Sequence, residues 1–485
     1  MKKMFLSAAI LCFTAMAFGQ DTGAQKAVQV AQIPGAAAGA NTGESIQNGS
    51  SNAVQVRQAG TEQSALTNQN GVGNLARLVQ TGNVNGNQSL SGQLNLAEVD
   101  QDGYNNESTT AQGGDFNNAY TKQNNDGGTE SLGNRAQIVQ GTGQQSENND
   151  AAIEQDGQDN SAYTLQTHDN SDASTVQNGI GNTSEIFQNA GPEDTQGQFA
   201  IVTQSGNDNE SRVFQDNIGS SDARNVALTA QAGNNNSAEQ IQSSTGSEGN
   251  LALISQGPSN QLFQTPSAEQ VYLDIIDLDA SADDGGNNIG DSYNGVAFQQ
   301  QTGEGNEAFL GQYASTEGSN NAAQIQDGTD NTAYLNQNAF GSDTGSNNIA
   351  RQEQYGSGNI AGLSQSGGTH MALQNQWGED NSSLAVQRGN HNSLNVFQEG
   401  DANYAQTIQH GNNNVALVTQ RDGQSYTVRQ NEGAFGAANG GNQADILQEG
   451  PYGAGNQTDF IHVNPQGVTA PHQVGSFTLD PLYQN

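Results

Sequence analysis

The apolar and polar positions of this chain repeat one short pattern: seven residues that begin with Asn, end with Gln and alternate in character between them. From Gln354 onward, Gln365, Gln376, Gln387, Gln398, Gln409 and Gln420 follow at intervals of eleven residues. Six residues before most of them stands an asparagine, at Asn348, Asn359, Asn381, Asn392, Asn403 and Asn414, with His370 as the one substitute. Two residues after most of them comes a glycine, as at Gly356, Gly367, Gly378, Gly389, Gly400 and Gly411. The same frame runs through Asn52–Gln58, Gln63–Gln69, Asn74–Gln80 and Asn95–Gln101, continues through Asn160–Gln166 and Asn225–Gln231, and ends near Asn442–Gln448. A fixed register sustained over about thirty units marks a repeat architecture.

Alternation with a period of two predicts a strand with Asn, the third residue, the fifth residue and Gln on one face. The third position is nearly always Ala or Ser, as in Ala76, Ala97, Ala136, Ser184 and Ala416. The fifth carries Val, Ile, Leu or Thr, as in Val56, Leu78, Val99, Ile138, Ile186, Val213, Val396 and Val418. These residues form the predicted core. Charges test the assignment, because an unpaired charge in a narrow dry core costs several kcal/mol. Arg57, Arg77, Glu98, Asp100, Arg135, Glu185, Arg212, Arg351, Glu353 and Arg429 all fall at even, outward positions. All eight prolines lie outside the strand segments, where a hydrogen-bonded ladder requires them to be.

A strand and a four-residue turn make one eleven-residue half-repeat, and two of these make a strand–arc–strand coil. Coils stacked at about 4.8 Å predict an all-β fold, a two-sheet β-solenoid of about fifteen coils and roughly 70 Å. Stacking also explains the amides. On identical neighbours each side-chain amide can donate to the oxygen of the next rung, so a buried amide that would be unfavourable alone becomes part of a ladder. The predicted ladder residues are Asn52, Gln58, Gln69, Asn74, Gln80, Asn95 and Gln101 in the early units, together with the later Asn and Gln series from Asn348 to Gln420.

Composition sharpens this picture. Only 32% of the residues are hydrophobic and 61 are glycine, too little apolar material for several ordinary globular cores. Lys2 and Lys3 precede an apolar stretch from Met4 to Phe18, and Ala17 and Gly19 fit a signal-peptidase site, so residues 1–19 read as a secretory leader and export is expected. The apolar stretch is too short for a membrane span, and no membrane insertion is expected. Cys12 is the only cysteine and lies in that leader, which leaves no thiol or disulfide for the mature chain. The formal charge is −37, with 13 scattered Lys and Arg in all, which argues against nucleic acid as a partner. Acidity instead favours solubility during export.

Residues 20–40 form a low-complexity segment, 41–256 and 294–467 carry the repeats, and 468–485 form a tail. The stretch from Gly257 to Tyr293 breaks the frame with Leu273, Ile275, Ile276 and Leu278 among Asp274, Asp277 and Asp279. It reads as a surface excursion or hinge; its carboxylates are hard ligands for calcium, yet their spacing matches no EF-hand loop.

The pattern Ser-x5-Gln-x-Gly-x-Gly-Asn-x-Ala-x-Val-x-Gln is that of the curlin repeat, and the run from Gln69 through Gly71, Gly73, Asn74, Ala76 and Leu78 to Gln80 is similar to it. The resemblance covers roughly residues 41 to 467. It implies a curli-like functional amyloid subunit: export through a dedicated outer-membrane pore, nucleated growth into cross-β fibres as a homopolymer or with other curli-like subunits, and a role in adhesion and biofilm matrix. The chain departs from the family in having several times more repeats, irregular spacers and an acidic break. The residues also fit a monomeric secreted solenoid acting as an adhesin. An ice-binding face would need a flat array of outward Thr, which is not present. No enzyme and no cofactor are expected: the six histidines fall in turns, at ladder positions or in the tail, and none shares a metal-ligand spacing with a carboxylate.

Overall fold

The computed structural model describes residues 40–81, 93–125, 132–141, 146–190, 196–217, 223–257, 292–313, 319–338, 347–430 and 441–449. The leader with Cys12, nearly all of the 20–40 segment, all eight prolines, most of the acidic break and everything past residue 449 lie outside them. The described residues contain 31 strands and no helix. They fall into two compact units, one drawn from Phe18–Asn235 and Gln240–Asn250, the other from Asn236–Glu239 and Leu251–Asn485.

The first unit contains β1 (Thr42–Ser50), β2 (Ala53–Ala59), β3 (Ser64–Val72), β4 (Leu75–Thr81), β5 (Leu96–Tyr104), β6 (Glu107–Gly113), β7 (Asn118–Asn125), β8 (Arg135–Gln140), β9 (Asp150–Gln158), β10 (Ser161–Thr167), β11 (Asp172–Ile180), β12 (Thr183–Asn189), β13 (Phe199–Asn207), β14 (Glu210–Asn217) and β15 (Val226–Asn234). The residues of β16 (Ser237–Ser244) are divided between the units. Odd-numbered strands pair in one sheet and even-numbered strands in the other. Every pairing is parallel and in register: Gln69 stands beside Gln101 and Ala65 beside Ala97, while Leu78 of β4 stands beside Thr110 of β6. The chain therefore alternates between two sheets and advances one rung per two strands, which is the β-solenoid expected from the eleven-residue half-repeat.

The second unit repeats the plan with β17 (Leu251–Gln256), the two-residue β18 (Ser292–Tyr293), β19 (Val296–Glu304), β20 (Glu307–Tyr313), β21 (Asn321–Thr329), β22 (Thr332–Asn338), β23 (Ile349–Ser357), β24 (Ile360–Gly368), β25 (Met371–Glu379), β26 (Ser382–Asn390), β27 (Ser393–Glu399), β28 (Tyr404–Asn412), β29 (Val415–Arg421), β30 (Ser425–Gln430) and β31 (Gln443–Glu449). One sheet runs β17-β20-β22-β24-β26-β28-β30 and the other β19-β21-β23-β25-β27-β29-β31.

The core of each unit is the seam between its two sheets. Ala76, Leu78, Ala97, Val99, Ile138, Ile186, Val213, Val396 and Ala416 are fully buried there, and Val418 nearly so. Small residues at the third position let the facing backbones approach, and the branched or long residue at the fifth fills the remaining width. Two expectations need correction. Val56 is 41% exposed, because β2 is an edge strand in the first rung and no strand covers it on one side. The fifth position is also not always apolar: in β19, β21, β23 and β25 it is Gln299, Gln324, Gln352 and Gln374, each fully buried.

Candidate functional site: amide ladders and open rungs

The glutamine that closes each unit points inward from a flat parallel sheet, so successive glutamines stand one rung apart. In the first unit Nε2 of Gln47 donates to Oε1 of Gln69 at 2.7 Å, and the relay passes through Gln101, Gln123, Gln155, Gln177 and Gln204 to Gln231. A second ladder runs from Gln58 through Gln80, Gln112, Gln140, Gln166, Gln188 and Gln215 to Gln242. In the second unit one ladder passes from Gln256 through Gln312, Gln337, Gln365, Gln387 and Gln409 to Gln430. The other joins Gln301, Gln326, Gln354, Gln376, Gln398, Gln420 and Gln448. The remaining Nε2 hydrogen crosses the seam, as from Gln69 to the carbonyl of Ala53 at 3.1 Å and from Gln398 to that of Ser382 at 2.9 Å. Each glutamine thus links its rung to the next and one sheet to the other.

The asparagine column carries an amide-to-amide relay as well, Nδ2 of Asn381 donating to Oδ1 of Asn359 at 3.0 Å and Nδ2 of Asn403 to Oδ1 of Asn381 at 2.9 Å, and it adds contacts to the backbone. Oδ1 of Asn52 accepts the backbone N–H of Asn74 at 3.0 Å, and Nδ2 of Asn74 donates to the carbonyl of Gly103 at 3.1 Å. Asn381 repeats this, with its N–H on Oδ1 of Asn359 and its Nδ2 on the carbonyl of Gly400. Asparagine therefore clamps the arcs, satisfying backbone groups that leave the sheet ladder where the chain turns. Asn95, Asn348, Asn392, Asn403 and Asn414 occupy the same place and are buried to 1% or less, as are Gln80, Gln101, Gln354, Gln365, Gln376, Gln387, Gln409 and Gln420. Of the predicted ladder residues only Asn52 and Gln58, in the first rung, are half-buried.

The arcs need special backbone conformations. Gly71 has φ +123°, and a Cβ there would lie 1.9 Å from the carbonyl oxygen of Gly103 on the next rung. A second arc position is held in the left-handed region by Asn105, Asp208, Asp380 and Asn413, polar residues that tolerate it.

Three further features were only partly legible in advance. Gln299, Gln324, Gln352 and Gln374 make an additional ladder at 2.8–2.9 Å that ends on Oγ of Ser383, with long Leu310, Leu335 and Leu363 buried in the other sheet. The sequence signal is a Gln-x-Gln pair in each of these four units, and β16 carries the same pair in Gln240 and Gln242. His370 fills an asparagine place: its Nδ1 accepts the N–H of Asn392 at 3.3 Å, and its Nε2 lies 3.1 Å from the carbonyl of Ser366, so Nε2 carries the proton and the ring is neutral. Complete burial lowers its pKa from 6.5 to about 4. On the outer face of the first unit Asp150 and Asp172 are in-register neighbours. Burial raises the Asp150 carboxyl to about 6, opposed by the Asn118 amide; burial also raises Asp172, opposed by Arg224 at 2.7 Å.

Among the described residues charge stays off the inner face. The two buried carboxylates among the described residues are Asp115, in an arc where it accepts the N–H of Gln93, and Glu239, at an outward position. No group of three His, Cys, Asp or Glu among the described residues could hold a metal ion.

The ladders end open. Gln47 and Gln58 donate onward, and no described glutamine precedes them in their columns; β1 and β2 pair on one side only and are largely exposed. Gln430 and Gln448 accept from Gln409 and Gln420, no described glutamine follows them, and β30 and β31 likewise pair on one side. The open rung of the first unit offers acceptors and that of the second unit offers donors. Comparison with protein-family models finds no matching family, and comparison with curated protein sequences finds no match. The likeness to the curlin repeat stands on the repeat residues themselves.

Proposed function

We propose that this chain is a secreted structural subunit that self-assembles axially into curli-like cross-β fibres of an extracellular matrix, serving adhesion and aggregation. The observation that carries the reading is the open, directional end of each ladder. An edge of unpaired N–H and C=O groups is a template for another parallel strand. Here the edges carry half-satisfied glutamine columns of fixed polarity, so a second copy continues both the backbone ladder and the amide ladder without any change of conformation. Repetition does the rest, since every internal rung already has the geometry that the new junction needs. Secretion, a curli-type export pore and a nucleating partner belong to the same proposal and rest on the leader-like residues 1–19 and on the curlin resemblance.

Time-resolved circular dichroism, amyloid-dye binding and fibre diffraction on the purified mature chain test it. The chain should gain β-structure, elongate and give reflections near about 4.7 and 10 Å. A folded monomer that never elongates at any concentration would refute it and favour a monomeric adhesin.

A further inference from the structure

The outer face of the second unit's β19–β29 sheet differs from the rest of a strongly acidic chain. Its six strands β19, β21, β23, β25, β27 and β29 present their first, third and fifth residues outward. Among these outward residues only Arg351 and Glu353 are charged, and they pair with each other. The rest of the face is dominated by half-exposed Ile325, Ile349, Met371, Leu373, Phe397 and Leu417. At its rim Trp377, the only tryptophan of the chain, is 50% exposed and lies against Tyr355 with ring centroids 5.0 Å apart. The same row of the rim also carries exposed Asp327 and the paired Glu399 and Arg421, 3.0 Å apart.

The other sheet of the same unit offers no comparable surface. Its outward Leu253, Phe309, Tyr334, Leu384, Val386 and Ile408 are already buried to 3% or less. In the first unit the outward positions of β5–β11 carry Glu98, Asp100, Lys122, Asp150, Glu154 and Asp172, a face that repels its own copy.

We infer that the β19–β29 face is a lateral interface on which a second copy of this chain packs sheet to sheet. Charge supports the choice of occupant: on a chain of formal charge −37 two copies approach most easily where the outward face carries no net charge, and the Arg351–Glu353 pair on that face is closed within its own copy. Shape supports it too, because flat parallel sheets with apolar outer residues stack at about 10 Å. Size is also sufficient: six strands spaced about 4.8 Å and seven to nine residues long cover on the order of 700–800 Å², the area that each partner of a standard stable interface buries. This contact lies across the fold axis and uses none of the open rungs, so it is independent of axial growth.

The test uses the full mature chain. Sedimentation velocity over a wide concentration range should show a monomer–dimer equilibrium before elongation, and electron microscopy of any filaments should show them paired. Trp377, as the sole tryptophan, should shift its emission to the blue and lose accessibility to acrylamide as pairing proceeds, a readout that needs no variant. Leu373→Lys with Phe397→Lys places unpaired charge in the contact and should weaken pairing about a hundredfold or more, leaving circular dichroism unchanged. The matched pair Phe187→Lys with Phe214→Lys, on the outer face of the first unit, should leave pairing intact. A chain that stays single with a quenchable Trp377, pairing that survives the first double variant, or equal loss in both variants overturns the inference.

Discussion

At the residue scale the fold depends on amides that are favourable only in company. Gln398 illustrates this: fully buried, it accepts from Gln376, donates to Gln420 and crosses the seam to Ser382. Replacing it by Lys leaves an uncompensated charge in the seam and breaks the relay at two rungs, so Gln398→Lys should cost about 3–5 kcal/mol and slow elongation strongly. Val396→Lys should do the same. Phe397→Lys, between them but on the outer face, should change stability by about 1 kcal/mol or less and leave the elongation rate nearly unchanged. Urea unfolding and dye-binding kinetics of the three variants check this, and equal effects would contradict the face assignment. Gly71→Ala combines a disfavoured φ with a collision against the next rung and should cost about 2–3 kcal/mol by the same unfolding measurement.

At the scale of the element, the unit of construction is the pair of half-repeats. Asn359 and Asn381, and Gln376 and Gln398, are each 22 residues apart, and the amide hydrogen bonds that join each pair span that interval. Deleting residues 381–402 puts Asn403 in the place of Asn381 and restores every column. Such a variant should fold with native-like circular dichroism and lose only its share of cooperative stability. Deleting Asn395 alone, inside β27, reverses which of the remaining side chains of that strand face inward and should open its pairing with β25 and β29, read by local proteolysis. Other intervals within the chain, such as the 27 residues from Gln177 to Gln204, show that added residues are absorbed in the arcs while the strand frame is kept.

At the scale of the whole molecule the two units should answer pH with opposite sign. In the first, the Asp150 carboxyl lies near 6 when folded against 3.8 ordinarily, so between those values the native state binds more protons than the unfolded one. Its contribution is fully present below about 4 and is lost as pH rises through about 6; Asp172, raised by burial, acts in the same direction. In the second unit His370 is depressed from 6.5 to about 4, so its contribution is present above 6.5 and is lost as pH falls through 4. Hydrogen exchange followed by peptide, corrected for intrinsic rates, should show protection rising in residues 150–180 and falling in residues 349–414 between pH 6.5 and 4. His370→Asn restores the usual amide of the column and should remove the second change.

Much of this protein was legible because repetition turns a local pattern into a long-range one. Period-two alternation named the inner face, the outward position of the charges confirmed it, and the eleven-residue interval implied two sheets; Ala76, Leu78, Gln80 and Val396 needed no structure to be placed inside. The same logic failed wherever an environment is not shared by every rung. Val56 obeys the pattern yet is exposed, since burial in a stacked coil comes from the neighbouring rung and an end has only one. The asparagine relay was identified but not its second task of holding the arcs, because which backbone group an amide reaches depends on how the arc turns. The buried glutamine column from Gln299 to Gln374 has its polar side chains in sequence, but its satisfaction depends on in-register contact between residues 22 to 28 positions apart and on leucines across the seam. Sequence by itself determined the strands, their faces and their stacking, all consequences of a chain meeting copies of its own pattern. Tertiary structure alone decided which rungs are ends, where charge vanishes from an outer face and which buried groups titrate, because these depend on what each rung lacks or meets beyond the repeat.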